Sequence, residues 1–113
     1  MLELLIAMVI IINSERSTPL VPDIQLTQIA QIRADNLCRT GQWSHDGWLD
    51  SFKGVQYLYA GENLARGFDS LEEANKAFMQ SPTHRANILN SHYQYVGVAT
   101  SKCGVVVELF KGL

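Results

Sequence analysis

Two histidines and one carboxylate, each in its own short motif, are the residues of this chain whose types could do chemistry together. His45 lies in Ser44-His45-Asp46-Gly47-Trp48, Glu62 in Gly61-Glu62-Asn63-Leu64-Ala65, and His84 in Gln80-Ser81-Pro82-Thr83-His84-Arg85-Ala86-Asn87-Ile88-Leu89. Ser81 suits a helix N-cap and Pro82 the first helical position, so His84 falls in the first turn, near the positive end of the helix dipole. An imidazole there is biased toward the neutral form, which a metal ion or a general base requires. Two histidines, with Glu62 as a third ligand or as the carboxylate that orients an imidazole, would leave positions open for water on bound zinc or another divalent cation, the plan of catalytic zinc sites. The bland alternative is structural: His84 bonding across helix turns, His45 pinning its loop, and Glu62 accepting from backbone donors.

Those three motifs must be positioned by a single domain, because 113 residues suffice for one core and not for two. The net charge of -2 supplies no basic footprint for nucleic acid or an anionic membrane. No internal repeat or low-complexity tract is present. Cys38 and Cys103 match neither a zinc pattern nor a CxxC redox motif. Two readings stay open for them, a disulfide closing a long loop or two buried thiols acting as small hydrophobes. The apolar opening from Met1 to Ile12 has the length of a signal-peptide core, but Glu3 stands where positive charge belongs and no small-x-small cleavage site follows. It is also too short to span a bilayer, so residues 1–13 are expected to form a structural first helix, with a remnant of a targeting segment as the alternative.

Asp23 can cap a second helix running to about Thr40, with Leu26, Ile29, Ala30, Arg33, Ala34 and Leu37 at helical spacing and Gly41 at its end. Residues 42–53 read as an ordered aromatic loop. Val55 to Tyr59 has the composition of a short strand or extended stretch leading into Gly61-Glu62-Asn63. Asp69 or Ser70 starts a third helix through Met79, and Ser81 a fourth. Tyr93 to Ser101 and Val105 to Phe110 read as strands joined by a hairpin turn at Lys102-Cys103-Gly104, with Glu108 facing solvent between Val107 and Leu109. The order predicts an α+β domain, helices packed on a small sheet.

The three motifs, in this order and spacing, resemble the CAP superfamily, the SCP-like domains shared by cysteine-rich secretory proteins, antigen 5 and plant pathogenesis-related proteins. The similarity is greatest to the short bacterial type, with Ser81-Pro82-Thr83-His84-Arg85-Ala86-Asn87-Ile88 as its hallmark and Tyr95-Val96-Gly97-Val98-Ala99 as a sheet strand. The resemblance implies an α-β-α sandwich, a small and mainly antiparallel sheet covered by helices, and a cleft that binds divalent metal in some members. It makes His45, Glu62 and His84 the metal or acid/base set. The family's fourth cleft residue is an acid, and here Ser81 falls about where it would be, with Phe78 in the place of a nearby tryptophan.

The resemblance further implies an extracellular or cell-surface location, although the chain carries no convincing export signal. The leading expectation is an extracellular module that binds a divalent cation and a wall glycan, peptide or lipid, acting as a monomer or weak dimer without a membrane span or nucleic acid. A metal-assisted hydrolase of peptides or esters is the second reading, with His45 and His84 on the ion and Glu62 positioning water. A metal-free lipid- or sterol-binding module is the third. A non-enzymatic role is preferred. Trp43 and Trp48 are candidates to flank a ligand, with core packing the role of at least one. Asn63 and Asn87 also border the cleft motifs, where satisfying backbone groups is the competing role.

Overall fold

The computed structural model describes residues 2–113. Four helices cover both faces of a four-stranded sheet, as an α-β-α sandwich requires. The first helix, α1 (Leu2–Asn13), buries Leu5, Met8, Val9 and Ile12 along one stripe, while Ile6 and Ile10 face outward. Met1, which the expected helix over residues 1–13 included, lies outside the described residues. No helix among the described residues is long and apolar enough to cross a membrane.

Strand β1 (Val21–Pro22) is two residues long and runs parallel to β3 (Tyr95–Thr100). Helix α2 (Ile24–Thr40) starts and stops where local chemistry places it. Asp23 accepts from the Leu26 amide at 2.8 Å, and Gly41, at φ 69°, sends its N–H to the Leu37 carbonyl. Strand β2 (Tyr59–Arg66), α3 (Leu71–Gln80), α4 (Pro82–Leu89) and β4 (Val105–Gly112) complete the chain. Ser70 caps α3 by accepting from the Glu73 amide, and Gly104 supplies the positive φ in the β3–β4 turn. The strand order is β1-β3-β4-β2, with every pairing but the first antiparallel.

One core cluster joins α1, α3 and α4 to the sheet through Met8, Ile12, Phe78, Ile88, Val96 and Phe110. The other joins α2 and the Phe52 turn through Leu26, Ala30, Ala34, Phe52, Val107 and Leu109. Arg16 ties the first of these layers together: it donates to the carbonyls of Ile88 at 2.7 Å, Asn90 at 2.9 Å and Tyr93 at 3.0 Å, satisfying the orphan end of α4.

Two expectations are corrected. Of the short strand or extended stretch expected over Val55 to Tyr59, the strand starts only at Tyr59, and it runs through Gly61-Glu62-Asn63 rather than leading into them, because pairing with β4 holds those residues. Glu108 does not face solvent. With helices on both sides of the sheet, β4 is buried along its whole length, so the side chain directed away from Val107 and Leu109 enters the opposite core. The cysteines are joined: a disulfide links Cys38 near the end of α2 to Cys103 in the β3–β4 turn, with a Cα–Cα distance of 5.8 Å.

Candidate functional site

Strand alternation organises the cleft. Consecutive residues of β2 point to opposite faces, so Glu62 turns toward α2 while Asn63 turns toward α4. β2 is an outer strand of the sheet, and the loop that carries His45 meets it at Glu62 while the helix that carries His84 meets it at Asn63.

Glu62 is buried, its side chain 1% exposed, and both its oxygens are engaged. Arg33 forms a two-pronged pair, Nε to Oε2 at 2.9 Å and Nη2 to Oε1 at 2.8 Å, and His45 Nδ1 lies 2.9 Å from Oε1. The His45 ring is otherwise exposed, at 54%. A carboxylate on Nδ1 fixes the tautomer that keeps a lone pair on Nε2. Arg33 was legible only as one position on the α2 stripe. A charged residue amid Ile29, Ala30, Ala34 and Leu37 is the signal that marks it as a buried partner. Removing it strands a carboxylate, though His45 still faces the charge. We therefore expect Arg33→Met to cost about 3 kcal/mol in urea unfolding at pH 7, with most of the loss recovered by adding Glu62→Gln. Equal losses in the single and double variants would disprove this coupling.

Ser81 occupies the N-cap position of α4, but its hydroxyl makes no capping bond. It lies 2.8 Å from His84 Nδ1 instead, so the serine in the place of the family's acid orients the second histidine. His84 packs against the Phe78 ring at 5.2 Å. Burial, and after it the charge of His45, lowers the His84 imidazole from its ordinary value and so favours the neutral form. The sequence argument reached the same direction from the helix dipole, whereas desolvation is the first cause. The same coupling places the two histidines within reach of one another's charge.

Beneath the edge runs a buried amide chain. Asn63 donates to the His84 carbonyl and to Glu108 Oε1, both at 3.1 Å. Asn87 donates to Asn63 Oδ1 at 2.8 Å and to the Glu62 carbonyl at 3.2 Å. Tyr93 donates to the Ala60 carbonyl at 3.0 Å. Asn63 is wholly buried, and the two asparagines fix the backbone at Glu62 and His84. Trp48 packs edge-on against Phe52, in the core, while Trp43 stays partly open and forms one wall of a recess beside His84. Larger recesses open beside the disulfide and around the Phe52 turn, but neither is lined by a histidine.

The donor chemistry fits a divalent ion only in part. His45 and His84 both have Nδ1 engaged and no hydrogen bond on Nε2 among the described residues. Glu62 has no oxygen left over, and no group of three His, Cys, Asp or Glu side chains among the described residues is placed to hold an ion.

Residues 13–110 match the family model for the cysteine-rich secretory protein family, CAP. Protein YkwD of Bacillus subtilis (strain 168) is 32% identical over 106 residues, which cover 83% of this chain and 41% of that protein. An extracellular protein containing a SCP domain from Bacillus anthracis str. Ames superposes with a TM-score of 0.86 at 23% identity, over all of this chain and 40% of that one. A cysteine-rich secretory protein from Staphylococcus aureus subsp. aureus Mu50 gives 0.81 at 18% identity, over 96% and 39% of the two chains. An outer surface protein of Borrelia burgdorferi gives 0.80 at 21% identity, over 95% of this chain and 90% of that one. These three structures share the fold. The chain spans about 41% of the length of its curated relative YkwD.

Proposed function

The chain belongs to the cysteine-rich secretory protein family, and from that premise we propose that it is an extracellular binding module whose two histidines hold a divalent cation, through which a ligand outside the cell is recognised. The observation that carries this is the matched state of the two imidazoles. Each is oriented at Nδ1 by a fixed partner, Glu62 or Ser81, and each leaves Nε2 without a hydrogen-bond partner. A bound ion would supply a Lewis-acid centre with open positions for ligand oxygens. His45 and His84 would be its protein donors. Glu62 acts behind His45 as an orienting carboxylate rather than as a third ligand, one of the roles its motif allows.

The same geometry favours binding over hydrolysis. A general base needs a free lone pair and freedom to take a proton, and the Glu62 carboxylate is clamped by a buried guanidinium. Similarity to extracellular and outer-surface proteins supports the location.

Calorimetric titration of zinc at pH 7.5 tests the reading. One-to-one binding is expected, abolished by His45→Ala and by His84→Ala and weakened about 10–100-fold by Glu62→Gln, the usual cost of losing an orienting partner. No binding to folded wild-type protein, or binding indifferent to both histidines, would refute it. Lipid recovered by solvent extraction of the purified protein would favour the apolar alternative, to which the exposed Ile6 and Ile10 of α1 are relevant.

A further inference from the structure

Beside His84 the free edge of β2 borders a recess of about 310 Å³, walled by Trp43, Leu64, Ala65, Phe68, Ala77 and Phe78, with Arg66 at its rim and Ser81 and His84 at one side. Two features set it apart from an ordinary surface dimple. Trp43 and Phe68 are each 38% exposed, so two large aromatic rings stay partly open to solvent where the fold could have covered them. The Arg66 guanidinium lies over the Trp43 ring, 4.7 Å from its centroid, and makes no side-chain hydrogen bond or ion pair among the described residues. Attraction to the ring uses the charge of a guanidinium and not its N–H donors, so these stay free to take a carboxylate two-pronged.

We propose that this recess is a subsite for a free carboxylate carried next to an apolar or aromatic group, such as the C-terminal residue of a peptide. Arg66 pairs the carboxylate, and Trp43, Phe68 and Phe78 receive the apolar group. In the metal-free protein either tautomer of His84 also leaves Nε2 one hydrogen bond to make, to an amide N–H or a carbonyl of the same ligand. The volume suits one side chain and lies at the small end of ligand pockets, which argues against a sterol or a long acyl chain. The inference rests on the reading of the cleft as an extracellular binding site, whose ligand it narrows.

The test uses N-acetyl-L-phenylalanine and its uncharged amide as probes, titrated into the full chain with chelator present and followed by the Trp43 and His84 resonances in NMR spectra. The acid is expected to bind at least about tenfold more tightly than the amide, the value of one charge-assisted hydrogen bond. Arg66→Gln, at an exposed position that does not threaten folding, should bring the acid down to the level of the amide, and Phe68→Ala should weaken both. Equal binding of acid and amide, insensitivity to Arg66→Gln, or no shift at either resonance would overturn the proposal. Because the chelator removes metal, the outcome is independent of the zinc titration. A zinc site without carboxylate preference sinks this inference alone, and carboxylate preference without zinc binding sinks only the metal reading.

Discussion

Replacing Glu108 with glutamine should raise the stability of this protein at alkaline pH and leave it nearly unchanged at pH 4. Glu108 is wholly buried on β4; its Oε1 accepts from Asn63, and its Oε2 has no partner in the structure. Burial pushes its carboxyl up to about 8 from an ordinary 4.5, against a smaller opposing pull from the Asn63 hydrogen bond. A carboxyl that binds its proton more tightly in the folded state contributes stability that is fully present below the unfolded value. That stability falls as pH rises and is gone above the folded one. Between about pH 4.5 and 8 the wild type therefore loses up to about 5 kcal/mol that Glu108→Gln retains. Urea unfolding of both proteins from pH 4 to 9 reads this directly. Parallel profiles would mean that Glu108 is ionised in the fold or reaches water. The expected profile also bears on the site, since the proton on Glu108 keeps negative charge away from the amide that supports the His84 carbonyl.

The second large effect is expected from the disulfide. Joining Cys38 to Cys103 across 65 residues of sequence removes unfolded-state freedom worth about 4 kcal/mol in the chain-entropy model. It also anchors the end of α2 to the β3–β4 turn, at the opposite end of that helix from Asp23. A Cys38→Ser/Cys103→Ser variant, or wild type in reductant, should unfold at correspondingly lower urea concentration. Far less loss, with thiols that label readily in the native wild type, would show that the bridge does not form. An oxidising compartment is where such a bridge persists, in keeping with an extracellular module.

Much of this molecule was legible because its signals are local. The ends of α2 follow from Asp23 and Gly41, the start of α3 from Ser70, and the hairpin from Gly104, each a contact within a few residues. The three cleft motifs were visible as His45, Glu62 and His84, but their division of labour was not. Which groups occupy the oxygens of Glu62 depends on Arg33, 29 residues earlier, and no local pattern records that distance. Ser81 was read as a cap because its neighbours are those of a helix start; its hydroxyl is drawn instead to His84. Glu108 was misread because alternation along one strand assigns side chains to two faces without telling whether the second face is wet. Gly61-Glu62-Asn63 was placed after a strand rather than within one, since glycine and asparagine are poor strand formers. The glycine is required there by a neighbour: a Cβ on Gly61 would run into the Tyr93 side chain.

Gly97 acts on the cleft from two strands away. A Cβ there would collide with the backbone of Leu26 and Thr27, so α2 rests directly on β3 with nothing between. Gly97 pairs with Leu109, and Leu109 with Glu62, so all three stand in one row across the sheet. From its contact with Gly97 the helix runs on along β3, with Gln31 on the Thr100 carbonyl and Cys38 at the β3–β4 turn, while Arg33 reaches sideways to Glu62. The bare α-carbon of Gly97 thus sets how close the helix lies to the sheet, and the reach of the Arg33 side chain to Glu62 starts from that seat. The aim of the His45 imidazole, one bond further on, is calibrated by a hydrogen atom on a strand it never meets.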